Sequence, residues 1–147
     1  MANPRKALIE TDFLFGLSSS NNLYQHVIKW LKEHKAKKFK LILSGISPVE
    51  VVATLLSRGF KLEVITQVLN AMNLKLHEYG VKEYSTPTIP ILQLATTLRV
   101  NHHELTFFDS IHLATAINQE LPLITSDQTL LKIANNKGIK AINLKLI

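Results

Sequence analysis

The residues best suited to do chemistry are carboxylates: Glu10 with Asp12, then Glu50, Asp109 and Asp127. Carboxylates gathered in one place repel one another and take up protons unless a divalent cation neutralises them. Mg²⁺ and Mn²⁺ prefer hard oxygen ligands and keep several of their waters. Such an ion activates a water for attack on a phosphodiester and stabilises the developing charge, and two ions about 3.5–4 Å apart serve both nucleophile and leaving group. Plainer readings exist for each acid. Asp109 and Asp127 suit the first turn of a helix, where the macrodipole favours them by ~0.3–1 kcal/mol, and Glu50 suits a solvated helix face. However, Glu50 lies in the apolar stretch Pro48-Val-Glu-Val-Val-Ala53, and Glu10 follows a buried run. An unpaired carboxylate is costly in such settings, and a cation accounts for the group together.

The elements that would position these acids alternate between short apolar runs and helical patterns. Strands are expected over residues 6–11, 40–44, 122–125 and 140–143, with 74–78 as a further short strand of alternating character. Helices are expected over 23–34, from Ser47-Pro48 to 57, and over 62–72, 88–100, 108–119 and 127–136. Ser47 and Pro48 read as a capping residue and a first-turn proline, and Gly59 and Gly138 as stops. Strands alternating with helices predict an α/β fold, a three-layer α/β/α sandwich around a central, mainly parallel β-sheet. In that architecture ligands bind at the carboxyl ends of the strands. Glu10, Asp12 and Asp127 fall at strand ends and Glu50 and Asp109 at helix starts, so all are expected at one edge of the sheet. Glu10 and Asp12, two apart on a strand, would share a face.

With 147 residues, a single domain covering 1–147 is expected, large enough for its own core. There is no Cys, which excludes disulfides, thiolate metal sites and cysteine nucleophiles. No apolar run approaches the ~18–20 residues of a membrane span. Met1-Ala2-Asn3-Pro4-Arg5-Lys6 leads directly into Ala7-Leu8-Ile9, too short for a signal-peptide core, so a cytoplasmic protein with no membrane partner is expected. The formal charge of +6 and the run Lys29, Lys32, Lys35, Lys37, Lys38 and Lys40 suit either plain solubility or a polyanion such as RNA or DNA. His102-His103 reads as a surface turn. His112, one helical turn after Asp109, is expected to pack or to meet a second subunit before it touches the site.

Four motifs in order resemble the PIN-domain family, whose best-known members are VapC-type toxins. These are Lys6-Ala-Leu-Ile-Glu-Thr-Asp-Phe-Leu-Phe15, Ser44-Gly-Ile-Ser-Pro-Val-Glu50, Phe108-Asp-Ser-Ile-His-Leu-Ala-Thr-Ala116 and Leu123-Ile-Thr-Ser-Asp127. The resemblance implies a metal-dependent endoribonuclease like the toxin of a toxin–antitoxin pair, using Mg²⁺ or Mn²⁺. Glu10, Glu50, Asp109 and Asp127 would be its metal ligands, with Asp12 joining or replacing Glu10. Thr11, Ser47 and Thr125 would orient carboxylates or contact phosphate, or serve ordinary turn and capping roles. RNA as substrate, a small antitoxin protein and a homodimer are implied by the resemblance alone. One residue departs from the family pattern: Glu10 stands where Asp is usual, one methylene longer. That departure motivates a second reading, a catalytically weakened PIN domain that binds nucleic acid.

Overall fold

β1 (Arg5–Ile9) is the centre of the molecule, flanked by parallel β2 (Phe39–Ser44) on one side and parallel β4 (Leu123–Thr125) on the other. The computed structural model describes residues 5–147; Met1 to Pro4, part of the stretch on which the N-terminal reading rests, lie outside it. β3 (Tyr84–Ser85) adds beside β2 and β5 (Ala141–Asn143) beside β4, giving the all-parallel order β3-β2-β1-β4-β5.

Both faces of the sheet are covered, and alternation along the strands says which residue serves which face. Ala7, Ile9, Leu41, Leu43 and Ile124 join one core with α1 (Thr11–Phe15), α2 (Tyr24–Lys35), α3 (Ser47–Ser57) and α4 (Leu62–Glu78). Leu8, Ile42 and Leu123 join the other with α5 (Ile89–Asn101), α6 (Phe107–Gln119) and α7 (Gln128–Asn136). The expected three-layer α/β/α sandwich is thus what the chain forms. Truncating a fully buried residue such as Ile9 to Ala would cost about 2–5 kcal/mol.

Three local expectations need correction. Residues 74–78 are the last turns of α4, not a strand. Ile65, Leu69, Met72 and Leu76 pack at helical spacing into the core while Leu74 stays exposed, so the 3.6-residue period overrides the apparent alternation. Thr11 and Asp12 do not extend the first strand, which ends at Ile9; they open the short helix α1, capped by the side chain of Glu10. Ser47 does not cap α3. Ile46 holds that position and its carbonyl accepts from Glu50 N, so Ser47 is already helical and its buried hydroxyl has no partner.

Other boundaries follow their caps. The side chains of Thr88, Thr106 and Asp127 accept from Ile91 N, Asp109 N and Leu130 N. No helix among the described residues is long and apolar enough to cross a membrane. The lysine run spans α2, the turn after it and the start of β2, so its end lies at the amino edge of the sheet, opposite the acids.

Candidate active site

The register places the acids. Ile9 pairs with Leu43 on one side and Ile124 on the other, so Glu10, Ser44 and Thr125 are the next residues at the carboxyl ends of three adjacent strands. At this edge the chain has turned from one face of the sheet to the other between β1 and β4, the kind of crevice where open parallel sheets bind ligands. A pocket of about 560 Å³ opens there, lined by Glu10, Thr11, Asp12, Glu50, Asp109 and Asp127 together with Phe15, Thr106, Ser126 and Gln128. Every acid singled out in the sequence lines this one pocket. Ser47 does not, and its hydroxyl reaches no carboxylate.

Glu10 is almost fully buried and both of its oxygens are engaged. Oε1 accepts from Asp12 N at 2.7 Å, capping α1, and Oε2 accepts from the Thr125 hydroxyl at 2.9 Å. Burial, with the charges of Asp12 and Asp109 beside it, holds its carboxyl well above the usual carboxylate range despite those hydrogen bonds. Asp12 comes to the same place through the first turn of α1, not through strand alternation. Its Oδ2 accepts from the backbone and hydroxyl of Ser126, whereas its buried Oδ1 has no partner.

Asp109 opens α6 behind its Thr106 cap. Desolvation first, then the facing Asp127 carboxylate, push it up to about 6. Asp127 is both the cap of α7, through Oδ1, and a wall of the pocket, so its helix-start role and its place among the acids coexist.

Glu50 behaves differently. Burial raises its carboxyl, but hydrogen bonds from His112 and Thr11 outweigh it and leave it below the usual range. His112 Nε2 lies 2.7 Å and Thr11 Oγ1 2.6 Å from Glu50 Oε1. His112 is completely buried, so the expectation of plain packing or a subunit contact is replaced by a direct contact with a site carboxylate. Only its spacing from Asp109 signalled this in the sequence, and Glu50, its partner, belongs to a distant segment. Thr11 and Thr125 do contact carboxylates, whereas the hydroxyl of Ser44, for which no role was foreseen, lies 2.7 Å from His112 Nδ1.

The donor set is made of hard oxygens, with an orphaned buried carboxylate oxygen and two carboxyls raised by burial and by neighbouring carboxylates. These features suit Mg²⁺ or Mn²⁺. As the side chains stand, no three Asp, Glu or His among the described residues meet tightly enough to hold an ion by themselves. The carboxylates expected to ligate therefore share one pocket without converging on one point. Mg²⁺, which keeps several of its waters, needs only one or two direct carboxylates.

The family model for the PIN domain matches residues 7–136. The fold is similar to that of a toxin–antitoxin complex from Klebsiella pneumoniae, 20% identical with a TM-score of 0.62 over 96% of this chain and 99% of that one. It is also similar to FitAcB from Neisseria gonorrhoeae, 19% identical with a TM-score of 0.58 over 96% of this chain and 99% of that one. A third similar structure is a member of the VapBC toxin–antitoxin family, VapBC-5 from Mycobacterium tuberculosis, at 14% identity and a TM-score of 0.58, covering 95% and 99% of the two chains. At these identities the likeness is one of fold. No match was found among curated protein sequences.

Proposed function

Since the chain belongs to the PIN-domain family, matched across residues 7–136, we propose that it is a metal-dependent endoribonuclease and that residues 1–147 form a single such domain. The observation that carries this reading is the gathering of Glu10, Asp12, Glu50, Asp109 and Asp127 around one pocket at the carboxyl ends of β1, β2 and β4. When bound, Mg²⁺ or Mn²⁺ supplies an activated water and charge neutralisation at the scissile phosphodiester. Asp12 through its free Oδ1, Asp109, Asp127 and Glu50 are the residues that would hold the ion or orient its waters. Glu10 braces the pocket floor, tying α1 to β4 through its two hydrogen bonds. Thr11 and Thr125 fix the carboxylates they touch, as outer hydrogen-bond partners of metal ligands do.

The toxin half of a toxin–antitoxin pair is the biological role this reading favours, with RNA as substrate, a small antitoxin partner, a homodimer and a cytoplasmic location. The test is cleavage of mixed structured and single-stranded RNA in Mg²⁺, Mn²⁺ or EDTA by wild type, Asp109→Asn and Asp127→Asn. Metal-dependent cleavage that falls by about 10²-fold or more in both variants is expected. Cleavage unaffected by both substitutions would overturn the site assignment.

The second reading, a weakened domain that binds nucleic acid, is favoured by Glu10, whose oxygens are both spent within the protein. It predicts RNA binding without cleavage by the wild type, and cleavage gained in Glu10→Asp.

A further inference from the structure

Ser44, His112 and Glu50 form a continuous hydrogen-bonded chain, with Ser44 Oγ 2.7 Å from His112 Nδ1 and His112 Nε2 2.7 Å from Glu50 Oε1. The order suggests a serine nucleophile with its base and orienting acid, but burial rules that out. Ser44 and His112 are both fully buried, and neither lines the pocket. Only Glu50, at the end of the chain, reaches it.

The polarity of the chain follows from what each group can do. An ionised carboxylate only accepts hydrogen bonds, so Nε2 carries a proton and donates to Glu50. Thr11 donates to the same oxygen at 2.6 Å and also lies 3.2 Å from Nε2. Both contacts fall on Oε1, which leaves Oε2 for the pocket. The imidazole is clamped at both nitrogens, and the helix that carries it is buried from Ser110 to Ala116. Ser44 is fixed in turn by the pairing of β2 with β3, where it stands opposite Ser85.

We propose that His112 is a positioning residue: clamped from behind by Ser44, it holds Oε1 of Glu50 so that Oε2 alone faces the pocket and its cation. The device links four separate elements, α1, β2, α3 and α6, at one carboxylate. It rests on the metal-dependent nuclease reading of the pocket, and the experiment separates the two.

Mn²⁺ affinity, by paramagnetic resonance titration, and RNA cleavage kinetics would be measured for wild type, His112→Leu, His112→Gln and Ser44→Ala. Mn²⁺ affinity alone would be measured for His112→Leu in a Glu50→Gln background. Leucine fills much of the ring's volume without an N–H, whereas glutamine restores a donor. His112→Leu is expected to weaken Mn²⁺ binding by about 10–100-fold, the usual cost of removing a partner of a metal ligand. It should lower kcat with little change in KM for RNA. His112→Gln should recover most of the loss, and Ser44→Ala should fall between. In the Glu50→Gln background, His112→Leu should have no further effect on Mn²⁺ affinity, because its action runs through that carboxylate.

Wild-type affinity and kcat in folded His112→Leu would overturn the proposal, as would a loss of affinity equally large without the Glu50 carboxylate. If His112→Leu does not fold, Ser44→Ala with wild-type affinity and rate overturns it instead. A wild type that neither binds Mn²⁺ nor cleaves RNA removes the nuclease reading and this inference with it, a result recognisable before any variant is compared.

Discussion

The hydroxyl of Thr125 donates to Glu10 Oε2 at 2.9 Å, joining the end of β4 to the end of β1. Thr125 Oγ1 in turn accepts from Asp127 N at 3.1 Å, so one hydroxyl sets both the first acid and the turn that presents the last. Thr125→Val keeps the shape and removes both bonds, leaving a buried carboxylate short of a donor. A loss of about 1–3 kcal/mol in urea unfolding is expected, with most of it recovered by Thr125→Ser. A valine variant as stable as wild type would show that the hydroxyl is dispensable.

Glu10→Gln should separate folding from cation binding. The amide keeps an acceptor for Asp12 N, and its other end donates to Thr125, whose proton then turns toward Asp12 Oδ2, 3.5 Å away. Burial, with Asp12 and Asp109 beside it, makes an acid at this position costly to the cation-free protein at neutral pH, and the neutral amide relieves that cost. In EDTA at neutral pH the melting temperature should rise by about 2–4 °C, the shift that ~1 kcal/mol makes in a chain near this size. The stabilisation by Mn²⁺ should shrink at the same time. A lower melting temperature in EDTA would refute the charge argument.

Stability of the cation-free protein should fall as pH rises from about 5 to 7. Asp109 titrates near 6 in the folded chain, against an ordinary value of 3.8, so the folded state keeps a proton that the unfolded chain has released. Its favourable contribution is complete below the unfolded value and is lost as pH climbs through 6. Glu50 works in the opposite sense: its lowered carboxyl contributes stability that is lost only in more acidic solution. Thermal melts in EDTA should therefore slope downward across this window, less steeply in Asp109→Asn, and saturating Mg²⁺ should flatten them. A flat EDTA profile in the wild type would contradict the burial of Asp109 and its crowding by Asp127.

Gly45→Ala should be among the most damaging single-methyl additions in the chain. A Cβ at Gly45 would stand 1.9 Å from the Ser85 carbonyl oxygen, backbone that cannot swing aside, while Gly45 N also bonds Ser85 Oγ. A cost of about 3 kcal/mol or more is expected, at or beyond the upper end of ordinary overpacking. Unfolding by urea measures it, and a change under about 0.5 kcal/mol, the range of a neutral surface substitution, would show that the two strands part easily.

What could be read in the sequence was what repeats or caps locally. The helices expected from 88, 108 and 127 start within a residue of those positions, because caps such as Thr88, Thr106 and Asp127 act within three residues of themselves. The acids were legible because carboxylates beside apolar runs ask for a partner. Three features were harder to read, one because it is a single turn and two because their partners lie far along the chain. The pair Tyr84–Ser85 is too short to show a period and becomes a strand only because β2 offers it an edge. α1 is a single capped turn, visible only once Glu10 is seen to fold back on Asp12 N. His112 looked like any buried helix residue because Glu50, which gives it meaning, arrives from α3.

The strand order has a consequence for when the pocket comes into being during synthesis. β1 is made long before one of its two neighbours, β4, which follows β2, β3 and six of the helices along the chain. A nascent chain that has reached the end of α6 already contains Glu10, Glu50 and Asp109, yet lacks the Thr125 hydroxyl that braces Glu10 and the Asp127 wall opposite Asp109. Long-range parallel pairing of this kind is slow to form and cannot be anticipated by the earlier segments. The pocket lined by these acids therefore cannot close until β4 and the start of α7 have followed the earlier elements out of the ribosome.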